Sequence, residues 1–216
     1  MLNKFLKILF SCKFTFVEPK NFNLVVLDDT GIDELAYILE NRRYFILVTR
    51  SQNLKEIYIT PKIIFFTFLY FKGNLFTAYN ASLLKIIKPK IVISFIDNSP
   101  RFHNLSKLFK DKINFLAIQN AARYDLEVCD YLKEKKIDFY DYKNFFIPNF
   151  FCFGQYEIDY YKRKNVKVLN FKKIGSLRTS NFRRKVDIHS IKEKYDICLV
   201  SNPARNFDNF FKLKGF

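Results

Sequence analysis

The sequence predicts an α/β fold of the Rossmann-like kind, in which a parallel β-sheet carries helices on both faces. Three observations lead to this prediction. Short, continuous runs of β-branched and aromatic residues have the composition of buried parallel strands. Segments with a helical spacing of apolar residues lie between these runs. The two kinds of segment alternate along the chain, which is typical of β-α-β units joined by right-handed crossovers.

The predicted strands are apolar runs bounded by polar turns. Four of these strands are clear and two are weaker. The N-terminal segment through Phe14 is interpreted as a further short strand rather than a signal peptide, because Lys7 and Lys13 interrupt its apolar run. The clear strands are 23–27, 44–49, 90–96 and 114–118, and the weaker ones are 150–153 and 166–174.

The predicted helices fill the intervals between these strands. Pro61 and Pro100 each stand where a helix begins, a position that proline favours because its missing N–H has no partner to lose there. Leu35, Ile38 and Leu39 should form the apolar side of one helix, and Phe102, Leu105 and Leu108 that of another. The predicted helices are 33–41, 62–71, 75–87, 100–110 and 126–136.

The composition is that of a globular protein with a substantial core, since 49% of residues are apolar and 27% are charged. The net charge is +16, and residues 160–216 hold 15 basic residues against 4 acidic ones. This basic region could meet an anionic membrane surface or a phosphorylated substrate, or it could simply be a solvated face. Nucleic acid is a disfavoured partner, because no RNP motif, zinc finger or helix-turn-helix pattern is present.

The cysteines predict neither a metal centre nor a disulfide framework. Cys12, Cys152 and Cys198 lie in apolar runs typical of reduced, buried cysteines, and no C-x-x-C pair occurs. No tightly bound cofactor or metal is expected. The longest apolar run, residues 63–71, has nine residues against the roughly 20 that cross a bilayer. We therefore expect a cytoplasmic protein, or one that associates peripherally with the inner membrane.

In open parallel sheets ligands bind beyond the carboxyl ends of the strands, so the residues that follow each strand are the candidate site. After the first strand come Asp28, Asp29, Thr30 and Gly31. They would form a substrate-facing loop, or Thr30 would cap the following helix while Gly31 relaxes the backbone. The segment lacks a G-x-G-x-x-G pattern and so does not predict a dinucleotide site.

A second candidate group follows the strand at 90–96. Asp97, Asn98 and Ser99 place an acid, an amide and a hydroxyl together, a set that can bind a sugar or orient a proton. His103 follows closely and is expected to titrate near neutral pH. The structural alternative is an Asx-turn and helix cap ahead of Pro100.

Further candidates follow the later strands. Gln119 and Asn120 offer both donors and acceptors for a hydroxyl-rich ligand, and Arg123 offers a fork for phosphate or carboxylate. A helix entry is the alternative for these three. Gly175 and Ser176 could present backbone amides to an anion, or form an ordinary turn.

Several of these segments together resemble the bacterial surface carbohydrate (surface polysaccharide) biosynthesis proteins. They are DDTG at 28–31, KPKIVISFIDNS at 88–99, FLAIQN at 115–120 with Arg123 behind it, FG at 153–154, KKIGSLR at 172–178 and YDICLVSN at 195–202. Ala121 stands where the family has a glycine. The resemblance implies a two-domain, glycosyltransferase-B-like (GT-B-like) architecture, related to that of sugar-nucleotide epimerases, and a role in making lipopolysaccharide or capsule sugars.

The resemblance also implies a domain division. Residues 1–180 would form the Rossmann-like N-terminal domain, and residues 181–216 a linker and an incomplete start of a second α/β domain. In such architectures the second domain binds a nucleotide-sugar donor. We therefore expect the acceptor-side domain of a glycosyltransferase-like protein, truncated and dependent on a second domain for activity.

Two other functions remain open at this stage. One is a non-catalytic binding or scaffold module that docks at the membrane surface through residues 160–216. The other is a sugar-nucleotide epimerase-like protein, which would need both domains to close over the nucleotide. The leading expectation is a domain that binds a sugar or lipid-linked sugar with its strand-end loops.

Overall fold

The computed structural model describes residues 12–50, 54–122 and 142–185. The chain divides into two units, Met1–Asn181 and Phe182–Phe216. Of the second unit, the described residues are 182–185, all of them exposed. In chain order the elements are β1 (Lys13–Thr15), β2 (Leu24–Leu27), α1 (Ile32–Leu39), β3 (Phe45–Leu47), β4 (Glu56–Tyr58), α2 (Pro61–Leu69), α3 (Leu75–Ile87), β5 (Ile91–Ser94), α4 (Pro100–Leu108), β6 (Asn114–Ile118), a 3-10 turn (Tyr142–Asn144), β7 (Phe146–Cys152), α5 (Gln155–Arg163), β8 (Lys167–Lys173) and α6 (Leu177–Lys185).

Six strands form one parallel sheet in the order β3-β2-β5-β6-β7-β8. Val25 of β2 pairs with Phe45 of β3 on one side and with Val92 of β5 on the other. The chain thus moves outward from β2 to β3 and then returns past β2 to β5, so the direction of winding reverses between β2 and β5. The α/β fold with a parallel, Rossmann-like sheet is confirmed. A separate pair, β1 with β4, is also parallel.

The sheet is buried on both faces because its strands are continuously apolar. All four residues of β2 are buried. Val25 and Leu27 pack into one core together with side chains of α2, α3, α4 and α5. Leu24 and Val26 pack into a second core with Leu35 of α1 and with α6. Helices therefore cover both faces, as the alternating sequence pattern predicts.

Side-chain caps define where three helices begin. The side chains of Thr60, Asn74 and Ser99 accept hydrogen bonds from backbone N–H groups in the first turns of α2, α3 and α4. Pro61 and Pro100 occupy the first helical positions, as expected. These caps satisfy N–H groups that no helical carbonyl can reach.

The start of α1 differs from the prediction. The residue before the helix is Gly31 rather than Thr30, and no side chain caps it. Gly31 has a φ of 78°, and a Cβ at this position would lie 2.1 Å from Cδ1 of Phe95. The backbone here needs glycine both for its left-handed conformation and for the close approach of the Phe95 ring.

Some elements lie outside the predicted segments. β7 begins at Phe146, four residues before the predicted strand, and runs through Pro148, which in the sequence indicates a break. α5 lacks an obvious apolar stripe because Glu157 and two tyrosines are among its buried residues. α6 is mostly polar, with Leu177 its buried residue. The predicted helix at 126–136 lies outside the described residues.

Smaller differences concern the apolar sides of two helices. Ile38 of α1 and Leu108 of α4 are largely exposed, although the spacing predicts both on the buried side. Cys12 and Cys152 are buried free thiols, as expected, and burial raises the pKa of Cys152. Cys129 and Cys198 lie outside the described residues. Among the helices that the structure describes, none is long and apolar enough to cross a membrane.

Candidate ligand-binding cleft

A cleft of about 450 Å³ opens at the carboxyl edge of the sheet, where the winding reverses between β2 and β5. The loops after β2, β3 and β5 and the first turns of α3 and α4 line it. The reversal leaves a gap here because the helices after the two strands pack on opposite faces: α1 follows β2 on one face, and α4 follows β5 on the other. Open α/β sheets place their ligands at such a point.

Asp28 is the acidic residue of the cleft. It directly follows β2, is buried, and adopts a φ of 76°, a left-handed conformation that Asp tolerates better than most side chains. Its Oδ2 accepts a hydrogen bond of 2.7 Å from Oγ1 of Thr49 and lies 3.3 Å from Nε of Arg50. Its Oδ1 is buried and has no hydrogen-bond partner among the residues that the structure describes. A buried, unpaired carboxylate oxygen is costly, so this atom is the candidate acceptor for a ligand at this end of the cleft.

Two arginines give the cleft a positive balance. Arg50 follows β3 and is paired with Asp28, while Arg101 lies in the first turn of α4. The guanidinium of Arg101 stacks over the ring of Phe76, 4.7 Å from the ring centre. Burial lowers the pKa of Arg101, and the charge of Asp28 opposes that shift. Arg101 is therefore a half-buried, oriented cation, which suits recognition of a phosphate or carboxylate.

Two helices direct their N-termini at the cleft. α3 contributes Asn74 and Thr77, and α4 contributes Ser99 and Arg101. The positive ends of both helix dipoles thus border the same space that holds the two arginines. Asn98 adds an amide. The arrangement can bind a ligand that carries a negative group and also hydroxyls.

Asp97 and Gln119, two predicted site residues, lie in the interior rather than in the cleft. Oδ2 of Asp97 accepts a hydrogen bond of 2.7 Å from the hydroxyl of Tyr161. Nε2 of Gln119 lies 3.4 Å from Oε1 of Glu157, and its Oε1 accepts a bond from the backbone N–H of Phe153. Glu157 and Tyr161 are one turn apart on α5, so this helix contacts both strand ends. The hydrogen bonds of Asp97 and Gln119 therefore hold the ends of β5, β6 and β7 against α5.

Removing the Tyr161 hydroxyl should destabilise the fold. We expect Tyr161→Phe to lower the free energy of unfolding by about 1.5–3 kcal/mol, because the buried Asp97 carboxylate loses a charge-assisted hydrogen bond. Urea unfolding measures the effect. Tyr142→Phe is the matched control: its hydroxyl pairs with the neutral hydroxyl of Tyr160, so its loss should cost about 0.5–1.5 kcal/mol. Equal losses in the two variants would contradict the structural role given to Asp97.

His103 is also in the interior. Its Nδ1 lies 3.2 Å from the carbonyl oxygen of Phe146, at the start of β7, and its ring stacks on Phe145 with centres 4.0 Å apart. Its Nε2 is buried and has no hydrogen-bond partner within the described ranges. Burial lowers the pKa of His103 to about 4. The prediction that it titrates near neutral pH is therefore wrong, because the surrounding rings disfavour the imidazolium.

The remaining predicted residues are distributed around the same edge of the sheet. Asn98 and Ser99 line the cleft, as does Asp28. Ser176 caps α6 by accepting from Thr179 N–H, and Gly175 has a φ of 73°. Arg123 lies outside the described residues. The residues that do not line the cleft are Asp29, Thr30, Gly31, Asn120, Gly175 and Ser176.

Sequence reasoning missed several cleft residues, although one signal was present. The rule that strand-end residues form the site applies equally to the second predicted strand, 44–49, which ends on Thr49 and is followed by Arg50. Arg101 follows the predicted Asn98–Ser99 segment after one residue, Pro100. Asn74 and Thr77 had no such signal, because their role depends on where α3 begins in space.

Within the three described ranges, no group of three or more His, Cys, Asp or Glu side chains is arranged to hold a metal ion. Comparison of the chain with protein-family models, with curated proteins and with solved structures found no match.

Proposed function

We propose that this cleft binds a phosphorylated sugar, and that the chain is the acceptor-side domain of a protein of surface carbohydrate biosynthesis. One observation carries the proposal: the unpaired Oδ1 of buried Asp28 stands in the same cleft as Arg50 and Arg101. A carboxylate oxygen accepts from a sugar hydroxyl, and the guanidinium groups bind a phosphate. The resemblance of the strand-end segments to surface carbohydrate proteins supplies the biological setting.

The residues that line the cleft favour a sugar phosphate over a simple anion as its ligand. Asp28 would repel a bare phosphate, so a ligand that only carried charge would gain nothing at that end of the cleft. Asn74, Thr77, Asn98 and Ser99 add neutral donors and acceptors between the charged groups. A volume of about 450 Å³ is within the usual range for small-molecule sites.

Calorimetric titration of the full chain with glucose 1-phosphate, with glucose and with inorganic phosphate tests the proposal. We expect glucose 1-phosphate to bind more tightly than glucose or inorganic phosphate does. Arg101→Gln should weaken this binding about 10- to 100-fold, because it removes a charge-assisted hydrogen bond. Asp28→Asn should weaken the binding of the sugar phosphate about tenfold and leave that of phosphate unchanged or stronger.

Arg178→Gln is the matched control. Like Arg101, Arg178 stacks on an aromatic ring, that of Phe95; it pairs with the carboxylate of Glu34 and does not line the cleft. Its replacement should leave the titration unchanged. If phosphate alone binds as tightly as glucose 1-phosphate, the sugar part of the proposal is wrong. Failure of all three compounds to bind contradicts the whole proposal.

A further inference from the structure

The outward side of α2 is apolar although it faces solvent. Ile64, Phe65, Phe68 and Leu69 follow one another at helical spacing, and their exposed fractions lie between 46 and 75%. Ile63, on the opposite side, is buried in the core and fixes the helix to the domain. The helix is thus firmly packed on one side and presents large apolar side chains on the other.

The apolar surface extends beyond the helix. Phe71 and Leu75, in the connection to α3 and at its start, are exposed as well. We name the six side chains of Ile64, Phe65, Phe68, Leu69, Phe71 and Leu75 the α2 patch. Phe16 and Val17 are exposed nearby, since the ion pair of 3.0 Å between Glu18 and Lys62 brings that segment to the start of α2. Contiguous apolar surface of this kind marks an interaction site in monomeric proteins.

An apolar groove of about 780 Å³ adjoins the patch. Phe68, Phe71 and Leu75 of the patch form part of its wall, and Ile57 and Ile59 around β4 form another part. Thr67 and the hydroxyls of two tyrosines are the few polar groups near it. Such a groove suits a hydrocarbon chain and offers little to a polar ligand.

The charge around the patch identifies the kind of surface that it fits. Residues 61–75, which contain the whole patch, hold two lysines and no acidic residue. Lys62, in the first turn of α2, is paired with Glu18, whereas Lys72, which follows the helix, is exposed and supplies positive charge beside the patch. A second copy of a chain with a net charge of +16 would be repelled, whereas acidic lipid headgroups would be attracted.

We propose that the α2 patch inserts into the surface of an anionic lipid bilayer, with a lipid acyl chain entering the groove. A nine-residue helix lies in the plane of such a membrane, with its aromatic side chains among the acyl chains and Lys72, just beyond its end, at the headgroups. The N-terminus of α3, next to the patch, supplies Asn74 and Thr77 to the cleft, so the docked protein holds its cleft close to the membrane surface. The docking does not depend on what the cleft binds.

The absence of tryptophan from the chain permits a direct test. Phe68→Trp places a single tryptophan in the α2 patch, and Ile38→Trp places one on α1, which packs on the other face of the sheet. We expect the emission of the first variant to shift to shorter wavelength when vesicles of phosphatidylcholine and phosphatidylglycerol are added. The emission of the second should not shift. A shift in neither variant, or an equal shift in both, would overturn the proposal.

Vesicle sedimentation of the otherwise unchanged protein provides the second measurement. The full chain should sediment with the anionic vesicles, and the double variant Phe65→Ser with Phe68→Ser should bind about tenfold more weakly or worse, because the apolar side chains no longer enter the bilayer. Ile38→Ser is the matched control and should bind as the unchanged chain does. Binding retained by the double variant would assign membrane contact to another surface, such as residues 160–216, and would refute the α2 patch. A dimer that the double variant dissociates would assign the patch to a second copy instead.

Discussion

Replacing Gly31 by alanine should lower the free energy of unfolding by about 2–5 kcal/mol. Two effects add at this position. Gly31 has a φ of 78°, where an L-residue costs roughly 1–2 kcal/mol. The new Cβ would also lie 2.1 Å from Cδ1 of Phe95, which is itself buried, and overpacking of this kind costs about 1–3 kcal/mol.

Gly175 provides the matched control for this prediction. Its φ of 73° is nearly the same, but a Cβ there would have nothing within 4 Å. Gly175→Ala should therefore show the conformational cost alone, roughly 1–2 kcal/mol. Urea unfolding of the three proteins separates the two effects. If both variants lose the same amount, the contact with Phe95 contributes nothing and the account of Gly31 is wrong.

The second large effect concerns His103 and acid pH. The folded-state pKa of His103 is about 4, below its ordinary value of 6.5, so between these values the unfolded chain binds a proton that the folded chain does not. Stability is therefore complete above about pH 6.5 and falls as the pH is lowered towards 4. A pKa shift of this size corresponds to a loss of about 2–4 kcal/mol in the free energy of unfolding as the pH falls from 6.5 to 4.

Unfolding free energies measured by urea titration between pH 7 and pH 4 test this prediction, because their slope against pH reports the protons taken up on unfolding. His103→Leu removes the titrating group, so the variant should lose much less stability over the upper part of the window. Most carboxylates titrate below that range and affect both proteins equally. A parallel decline in the variant and the unchanged chain would show that His103 is not the group responsible.

The strands and most helices could be predicted because their signals are local. Burial of β2 on both faces requires four consecutive apolar residues, and the sequence shows them directly. Pro61 and Pro100 mark helix starts by their own geometry. α5 could not be predicted in this way, since Glu157 is buried against Gln119, which lies 38 positions earlier, and a polar residue on the inner side hides the helical period.

The residues of the candidate site are even harder to predict from local sequence. Asp28 and Asp97 are both acids that closely follow buried strands, and nothing local distinguishes them. Asp97 accepts a hydrogen bond from Tyr161 of α5 and is part of the interior, whereas Asp28 lines the cleft and its Oδ1 has no partner in the described part of the chain. Only the packing of a distant helix makes one a structural residue and the other a candidate ligand.

By itself, the sequence determined that this chain forms a parallel α/β sheet and that polar residues collect at the carboxyl ends of its strands, because hydrophobic runs and turn residues act over a few neighbouring positions. The tertiary structure decided which of those residues share a cleft. That choice follows from the strand order, which sends α1 and α4 to opposite faces and leaves a gap between β2 and β5. The tertiary structure also brought Arg50, Asn74 and Arg101 together from three separate segments. Their proximity depends on contacts between residues far apart in the chain.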